Sequence, residues 1–324
     1  MQAIVCHELG GPAALRLIEV PDPRPGPGQL RVGVRACGIN FADSLITRGH
    51  YQVRPQLPFS PGFEVAGEVL ELGSGVDDFA LGDRVIAITP HGGYAEQVVV
   101  GAKRCLRMPA AMSWVDGAAF PVAFGTSHVA LVHRARLRKG EVLVVHGAGG
   151  GVGLTAVAIG KQLGATVIAT ASSLAKREAA RECGADYLID SSDDVRLRIR
   201  ELSNGHGADV VYDPVGGDLF TASLRSMAFE GRILIIGFAS GSVPQVPANH
   251  LLVKNVEVIG VNWPAYAEQQ PDVMISSFRT LVQWYLDGVL KPQVSATYPL
   301  TQALEGLNQV VGRKSTGKVV ITIG

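Results

Sequence analysis

The sequence predicts an α/β chain in which a doubly wound parallel-sheet domain is inserted into a mostly β domain. Three observations carry that expectation. The apolar run Val144-Val145 breaks after His146 into Gly147-Ala148-Gly149-Gly150-Gly151-Val152-Gly153 and resumes as Leu154 to Ile159. Before it lie short strand patterns punctuated by Gly and Pro, the signature of a barrel-like sheet. From about Ala118 onward helix and strand periodicities alternate, the signature of a parallel sheet.

The elements follow in order. Pro21 to Gly28 is a rigid turn segment ahead of a strand from Gln29 to Ala36. Further strand patterns run over Glu64–Leu72, after the turn Leu81-Gly82-Asp83, and over Gly93–Val100. The second region reads as strand Val142–His146, a helix after the glycine turn, strand Thr166–Thr170, helix Ala175–Cys183 and strand Tyr187–Ile189. Helix Asp194–Leu202, strand Asp209–Tyr212, helix Leu219–Met227, strand Arg232–Ile236 and strand Val256–Val261 continue it. Helix Met274–Asp287 comes next, and Gly317–Ile323 returns to strand to pair with the first domain.

Bulk properties narrow the function. The 324 residues carry no formal net charge, so no basic excess exists to neutralise a nucleic-acid backbone. With 47% hydrophobic and 18% charged residues a globular core is easily built. The four cysteines, Cys6, Cys37, Cys105 and Cys183, form no C-x-x-C pair, which fits a reducing cytoplasm. No secretory leader is expected from Met1 to Glu8. The uncharged stretch Val142–Gly160 approaches a membrane span in length, but its glycines fit a buried strand, turn and helix better, so no membrane partner is expected.

The glycine turn is the first candidate site. Gly147, Gly150, Gly151, Val152 and Gly153 would let a pyrophosphate approach the backbone at a helix N-terminus, where bare N–H groups and the helix dipole favour an anion. Strand–turn–helix–strand is the context that a dinucleotide fingerprint requires. A site selective for NAD usually places a carboxylate about twenty residues on. Here that strand ends in Ala171-Ser172-Ser173-Leu174-Ala175-Lys176-Arg177. Ser172, Ser173 and Lys176 suit a 2′-phosphate, hence NADPH. The alternative is a serine N-cap with cations on a solvated helix face. Phe238 and Ser240 follow a strand at the C-terminal edge of the sheet, where open α/β folds bind ligands.

The chain as a whole resembles the medium-chain dehydrogenase/reductase superfamily. Within it the zinc-independent quinone oxidoreductase (zeta-crystallin-like) branch is most similar. The residues that carry the resemblance are Cys37-Gly38-Ile39-Asn40-Phe41-Ala42-Asp43, Pro61-Gly62-Phe63-Glu64-Val65-Ala66-Gly67 and Gly82-Asp83-Arg84-Val85, with Gly92-Gly93-Tyr94-Ala95-Glu96, the glycine turn, and Arg313-Lys314-Ser315-Thr316-Gly317-Lys318. The resemblance implies a Rossmann doubly wound parallel-sheet domain inserted into a GroES-like β-barrel-type domain. The expected boundaries are 1–121 for the GroES-like part, 122–262 for the NADP-binding part and 263–324 for a return segment completing the first.

The resemblance also implies roles. Zinc relatives place ligands where this chain has Asn40, Phe63 and Val122, and none of these is a usual zinc ligand, so no metal is expected. Asn40 would contact the nicotinamide ribose or the substrate, or simply cap the next helix. Thr126 would meet the cofactor, or be a helix-start hydroxyl. Ser191 stands where relatives often carry Tyr near the adenosine. Asn262 would flank the nicotinamide beside Trp263, which could equally be packing. Arg313 would reach the cofactor phosphates, or be a solvated loop cation. Tyr51 is the candidate proton donor, with water as its rival, or else it shapes an aromatic wall. The implied activity is NADPH-dependent hydride transfer to a small-molecule quinone or activated enone by a cytoplasmic homodimer. Two alternatives stand beside it: an enoyl-thioester reductase, and a non-catalytic NADPH-binding crystallin-like or RNA-associated protein.

Overall fold

The computed structural model describes residues 1–324. The first part of the chain holds strands β1 (Gln2–Cys6), β2 (Leu15–Glu19) and β3 (Gln29–Ile39), helix α1 (Phe41–Ile46), strands β4 (Glu64–Leu72), β5 (Arg84–Ile88), β6 (Gln97–Gly101) and β7 (Cys105–Arg107), and helix α2 (Trp114–Ala119). Helix α3 (Pro121–His128) runs into a π-helical stretch, Val129–Arg134. Then come β8 (Val142–Val145), α4 (Gly151–Gln162), β9 (Thr166–Ala171), α5 (Leu174–Glu182), β10 (Tyr187–Asp190) and α6 (Val195–Leu202). They are followed by β11 (Ala208–Asp213), α7 (Gly217–Ser226), β12 (Met227–Ile235), α8 (Ala248–Lys254) and β13 (Glu257–Gly260). Helices α9 (Tyr266–Gln269) and α10 (Pro271–Leu286) lead to β14 (Val294–Pro299), α11 (Ala303–Val311) and β15 (Lys318–Thr322).

The chain divides into two compact units, Met1–Val122 with Pro292–Gly324, and Ala123–Lys291. In the first unit β1 and β2 pair antiparallel, and seven strands form one sheet in the order β14-β15-β3-β4-β5-β7, with β6 also on β3. The return strand β15 lies antiparallel to the end of β3, Val319 opposite Ile39 and Ile321 opposite Cys37. Leu30, Val32, Val65, Val85, Val319 and Ile321 sit together in its core.

In the second unit six parallel strands run β10-β9-β8-β11-β12-β13. Numbered from one within the unit, that order is 3-2-1-4-5-6, the doubly wound arrangement with its switch between β8 and β11. The central strands are apolar and covered on both faces, as parallel strands flanked by helices must be. Val144, Ile168, Val211 and Ile233 are all completely buried there.

The structure moves one expected boundary. Residues 263–291 pack with the second unit rather than with the return segment. Trp263 lies edge-on to Phe278, 6.0 Å between ring centres, and presses against Gly125. Ser277 pairs with His128 at 2.9 Å. These contacts give the apolar face of α10 its partner, which an amphipathic pattern alone does not name. The β1–β2 pair, the π-helical stretch, α8 and α11 were not anticipated, and β3 continues three residues past Ala36 to Ile39.

Candidate active site

The glycine turn sits at the end of β8, at the switch point of the sheet. Gly147 adopts φ +56 and turns the chain. At Gly153 other backbone comes too close for a side chain. A Cβ on Gly153 would lie 2.3 Å from the Gly147 carbonyl oxygen. Gly150 is the N-cap of α4, and no side chain caps the helix. The N–H groups of Gly151, Val152 and Gly153 therefore find no acceptor in the protein, which leaves an anion cradle at the positive end of a 12-residue helix.

Lys176 stands over this turn. A Cβ on Gly149 would come within 2.5 Å of the Lys176 Cβ, so the absence of a side chain there lets the lysine stem close on the loop. Ser173 is the N-cap of α5, and its hydroxyl accepts from the Lys176 N–H at 3.4 Å. Ser172 and Ser173 are exposed. Arg177 belongs to a different arrangement: its guanidinium is held by the Asp190 carboxylate and the Ala171 carbonyl. No carboxylate follows β9 where a ribose diol would need one. Ser191 is half-buried next to Asp190, with its N–H on the Ala171 carbonyl at 3.2 Å.

The loop after β12 meets the loop after β11 at the same edge. Ala239 N–H donates to Pro214 O at 3.0 Å and Ser240 N–H to Val215 O at 3.0 Å. Phe238 is 39% exposed there, and the Ser240 hydroxyl turns back on Ser242. Thr126 is buried in α3, and the next residue, Ser127, bonds to Thr155 at 2.8 Å, Tyr212 at 2.9 Å and Val152 O at 3.0 Å. That hydroxyl knot ties α3 to α4 and β11. Asn262 is exposed and precedes a single helical turn, whereas Trp263 is 2% exposed and serves as packing.

The first unit contributes a different kind of site. Glu64 opens β4 and is completely buried. Its Oε1 accepts from Asn40 Nδ2 at 2.8 Å and from Lys318 Nζ at 2.6 Å, and its Oε2 accepts from the Val122 N–H at 2.8 Å. Lys318, 5% exposed at the start of β15, also donates to Asn40 Oδ1 at 2.8 Å and Ile39 O at 2.9 Å. Gly38 admits this cluster, since a Cβ there would be 2.5 Å from Glu64 Oε1.

One turn further on, Asp43 is buried at the start of α1. Its carboxylate accepts from Asn40 N–H at 2.7 Å, Gly62 N–H at 3.0 Å and Tyr94 OH at 3.0 Å. Burial outweighs these donors and pushes its pKa up to about 7. Tyr51 packs on Phe63 with ring centres 5.3 Å apart, and its hydroxyl has no partner in the protein. Burial, then the negative charge of Asp43, raise the Tyr51 pKa, so it keeps its proton at neutral pH. Arg313 follows α11 in the left-handed conformation, φ +55. There Lys314 N–H returns to Gln309 O and Arg313 N–H to Val310 O, the Schellman pattern usually closed by glycine.

Comparison with known proteins places this geometry. Residues 26–110 match the alcohol dehydrogenase GroES-like domain, and residues 151–284 match a zinc-binding dehydrogenase domain. Quinone oxidoreductase-like protein 2 of Rattus norvegicus is 40% identical over 99% of this chain and 92% of its own length. The Escherichia coli quinone oxidoreductase, solved in complex with NADPH, superposes with a TM-score of 0.92 at 30% identity, covering 99% of this chain and 100% of that one. A mycobacterial protein, also solved with NADPH, gives 0.94 at 32% identity, covering 99% and 100%. The chain belongs to the zinc-independent quinone oxidoreductase branch of the medium-chain dehydrogenase/reductase superfamily.

The donor set does not fit the zinc of the wider superfamily. Phe63 and Val122 offer no ligand atom, and the Asn40 amide is engaged on both sides. The Lys318 ammonium, a fixed positive charge, stands 2.8 Å from Asn40 Oδ1. No group of three His, Cys, Asp or Glu side chains is placed to hold a metal ion. In the sequence Glu64 and Lys318 stand inside longer motifs, with nothing beside them to mark a pair. A charged residue opening each of two otherwise apolar strands, Glu64-Val65-Ala66 and Lys318-Val319-Val320-Ile321, is the signal that could have paired them.

Proposed function

We propose that this protein is an NADPH-dependent oxidoreductase that reduces quinones or activated enones without a metal ion. The observation that carries the reading is the bare anion cradle of Gly151, Val152 and Gly153 with Lys176 closed over it and no carboxylate after β9. The solved relatives that hold NADPH support it.

In this reading Gly147, Gly150, Gly151, Val152 and Gly153 take the pyrophosphate. Ser172, Ser173 and Lys176 take the 2′-phosphate as donors and point charge, with Ser191 beside the adenosine. Thr126, Phe238, Ser240 and Asn262 border the remainder, and the family resemblance assigns Asn40 and Arg313 to the cofactor as well. NADPH, when bound, supplies the hydride. Tyr51 is the candidate proton donor, since its hydroxyl is protonated and unpartnered and Phe63 packs on its ring. Quinones and enones suit such a site because they are electrophilic without a Lewis acid.

A homodimer and a reducing, cytoplasmic setting complete the reading. β13 is an outer strand of its sheet, and Leu252 and Val253 just before it are 78% and 77% exposed. All four thiols are free. No helix is long and apolar enough to cross a membrane.

The test is oxidation of NADPH and of NADH with a panel of quinones, enones and acyl thioesters. NADPH turnover with a quinone or enone, and a Lys176→Ala variant whose preference for NADPH over NADH falls about tenfold, are expected. Preference for NADH, or turnover with thioesters alone, would overturn the reading.

A further inference from the structure

We infer that Arg177 is a positioning residue that sets cofactor choice by holding and neutralising Asp190, a carboxylate that β10 brings alongside the Ser172–Ser173 turn. The inference rests on the NADPH reading above, and all of its parts lie in the second unit. β9 itself ends without an acidic residue, but its neighbour in the sheet does not. The parallel register sets Asp190 opposite Ala171, and the Ser191 N–H donates to Ala171 O at 3.2 Å. Paired strands lie about 4.8 Å apart. A carboxylate thus stands one strand away from the residue that precedes Ser172 and Ser173, both exposed.

A bare carboxylate at that place selects against a 2′-phosphate. It repels the phosphate charge and accepts from the hydroxyls of an unphosphorylated ribose. Here neither oxygen of Asp190 is bare. Oδ1 accepts from the Ser192 N–H at 3.0 Å and the Ser192 hydroxyl at 2.8 Å, and Oδ2 is bound by Arg177 Nη1. Those bonds, Ser192 first, hold the Asp190 carboxyl below the usual carboxylate range, so it is charged at neutral pH. The same Arg177 nitrogen donates to Ala171 O at 3.2 Å, which ties the ends of β9 and β10 together. The two side chains are 18% and 32% exposed, so solvent screens this pair less than one on the open surface. Arg177 therefore cancels a charge that would oppose NADPH, and it does so without having to touch the phosphate.

The experiment measures by calorimetry the binding of adenosine 2′,5′-bisphosphate and of 5′-AMP, which differ by the 2′-phosphate alone. It compares the wild type with Arg177→Met, Asp190→Asn and the combined variant. Arg177→Met uncovers the carboxylate and should lower the preference for the bisphosphate about 3- to 10-fold. Asp190→Asn leaves the cation and should raise that preference by a similar factor. The combined variant, neutral like the pair it replaces, should return to within about twofold of the wild type. Both single shifts should shrink in about 0.5 M salt. Arg181→Met, in the last turn of the same helix, is the control that should change nothing.

A combined variant as weak as Arg177→Met would mean that Arg177 grips the phosphate itself, and would overturn the inference. Single variants that lower the melting temperature yet leave the preference unchanged would overturn it too, since the pair would then only staple two strands. Should Arg177→Met not fold, Asp190→Asn decides alone, and a preference that fails to rise overturns the inference. Each of these outcomes leaves the NADPH reading standing. A wild type that binds the bisphosphate no better than 5′-AMP would overturn both.

Discussion

The two units answer the same question, how to place polar groups in a buried site, in opposite ways. At the glycine turn of the second unit the polar groups are backbone N–H groups, laid bare because no side chain caps the start of α4. Nothing in the protein satisfies them, so the site is built to receive charge from outside. At Asn40 in the first unit the polar groups are side chains, the Glu64 carboxylate, the Lys318 ammonium and the Asn40 amide, that bond to one another and to nearby backbone. A vacancy on one side and a saturated cluster on the other show where a protein expects its ligand and where it supplies its own counter-ion.

The comparison breaks most visibly if the saturated cluster is opened. Lys318→Met leaves the Glu64 carboxylate buried and unpaired, and should cost about 3–5 kcal/mol in urea unfolding. Adding Glu64→Gln should recover most of that loss. Gly153→Ala attacks the vacancy instead. Its Cβ would meet backbone at 2.3 Å, so about 1–3 kcal/mol of stability and most NADPH affinity should go. Gly101→Ala, with open space around it, is the control that should change neither.

Titration sharpens the comparison next. Asp43 has its folded pKa raised from 3.8 to about 7, so the native state holds that proton more tightly than the unfolded chain does. Its contribution to stability is full below about 3.8 and is lost as pH rises through about 7. The slope is at most about 1.4 kcal/mol per pH unit, and unfolding midpoints across that range should show it in the wild type and not in Asp43→Asn. The smallest effect is expected at Arg313. Arg313→Gly relieves a left-handed residue and should add about 1 kcal/mol to stability, while the NADPH Kd rises. A gain in stability with unchanged affinity would leave Arg313 as a helix stop alone.

What could be read from the sequence follows the range over which each signal acts. The glycine turn, the serines before α5 and the absent carboxylate lie within about thirty consecutive residues, and their meaning is local. The alternation of strands and helices over Val142–Val261 is likewise a near-neighbour pattern, and the observed sheet follows it. The Glu64–Lys318 pair joins residues 254 apart, and no local pattern couples them. Asn40 was legible as a contact or a cap, yet its fixed orientation depends on both distant charges. Helix α10 is legible as a helix, but only Trp263, Phe278 and the Ser277–His128 bond say which core it joins. Trp263 shows the same limit, since packing and ring contact look alike until neighbours are known.

The placement of Lys318 on the returning strand has a consequence for how the chain is made. Glu64 and Asn40 leave the ribosome long before their counter-charge, with the whole of Ala123–Lys291 synthesised in between. Until β15 docks beside β3, a carboxylate must wait in a hydrophobic setting with no cation to meet it. The first unit therefore gains its native electrostatics only once β15 has been made, and nascent chains halted before residue 318 should remain open to protease in the first unit while the second is already protected.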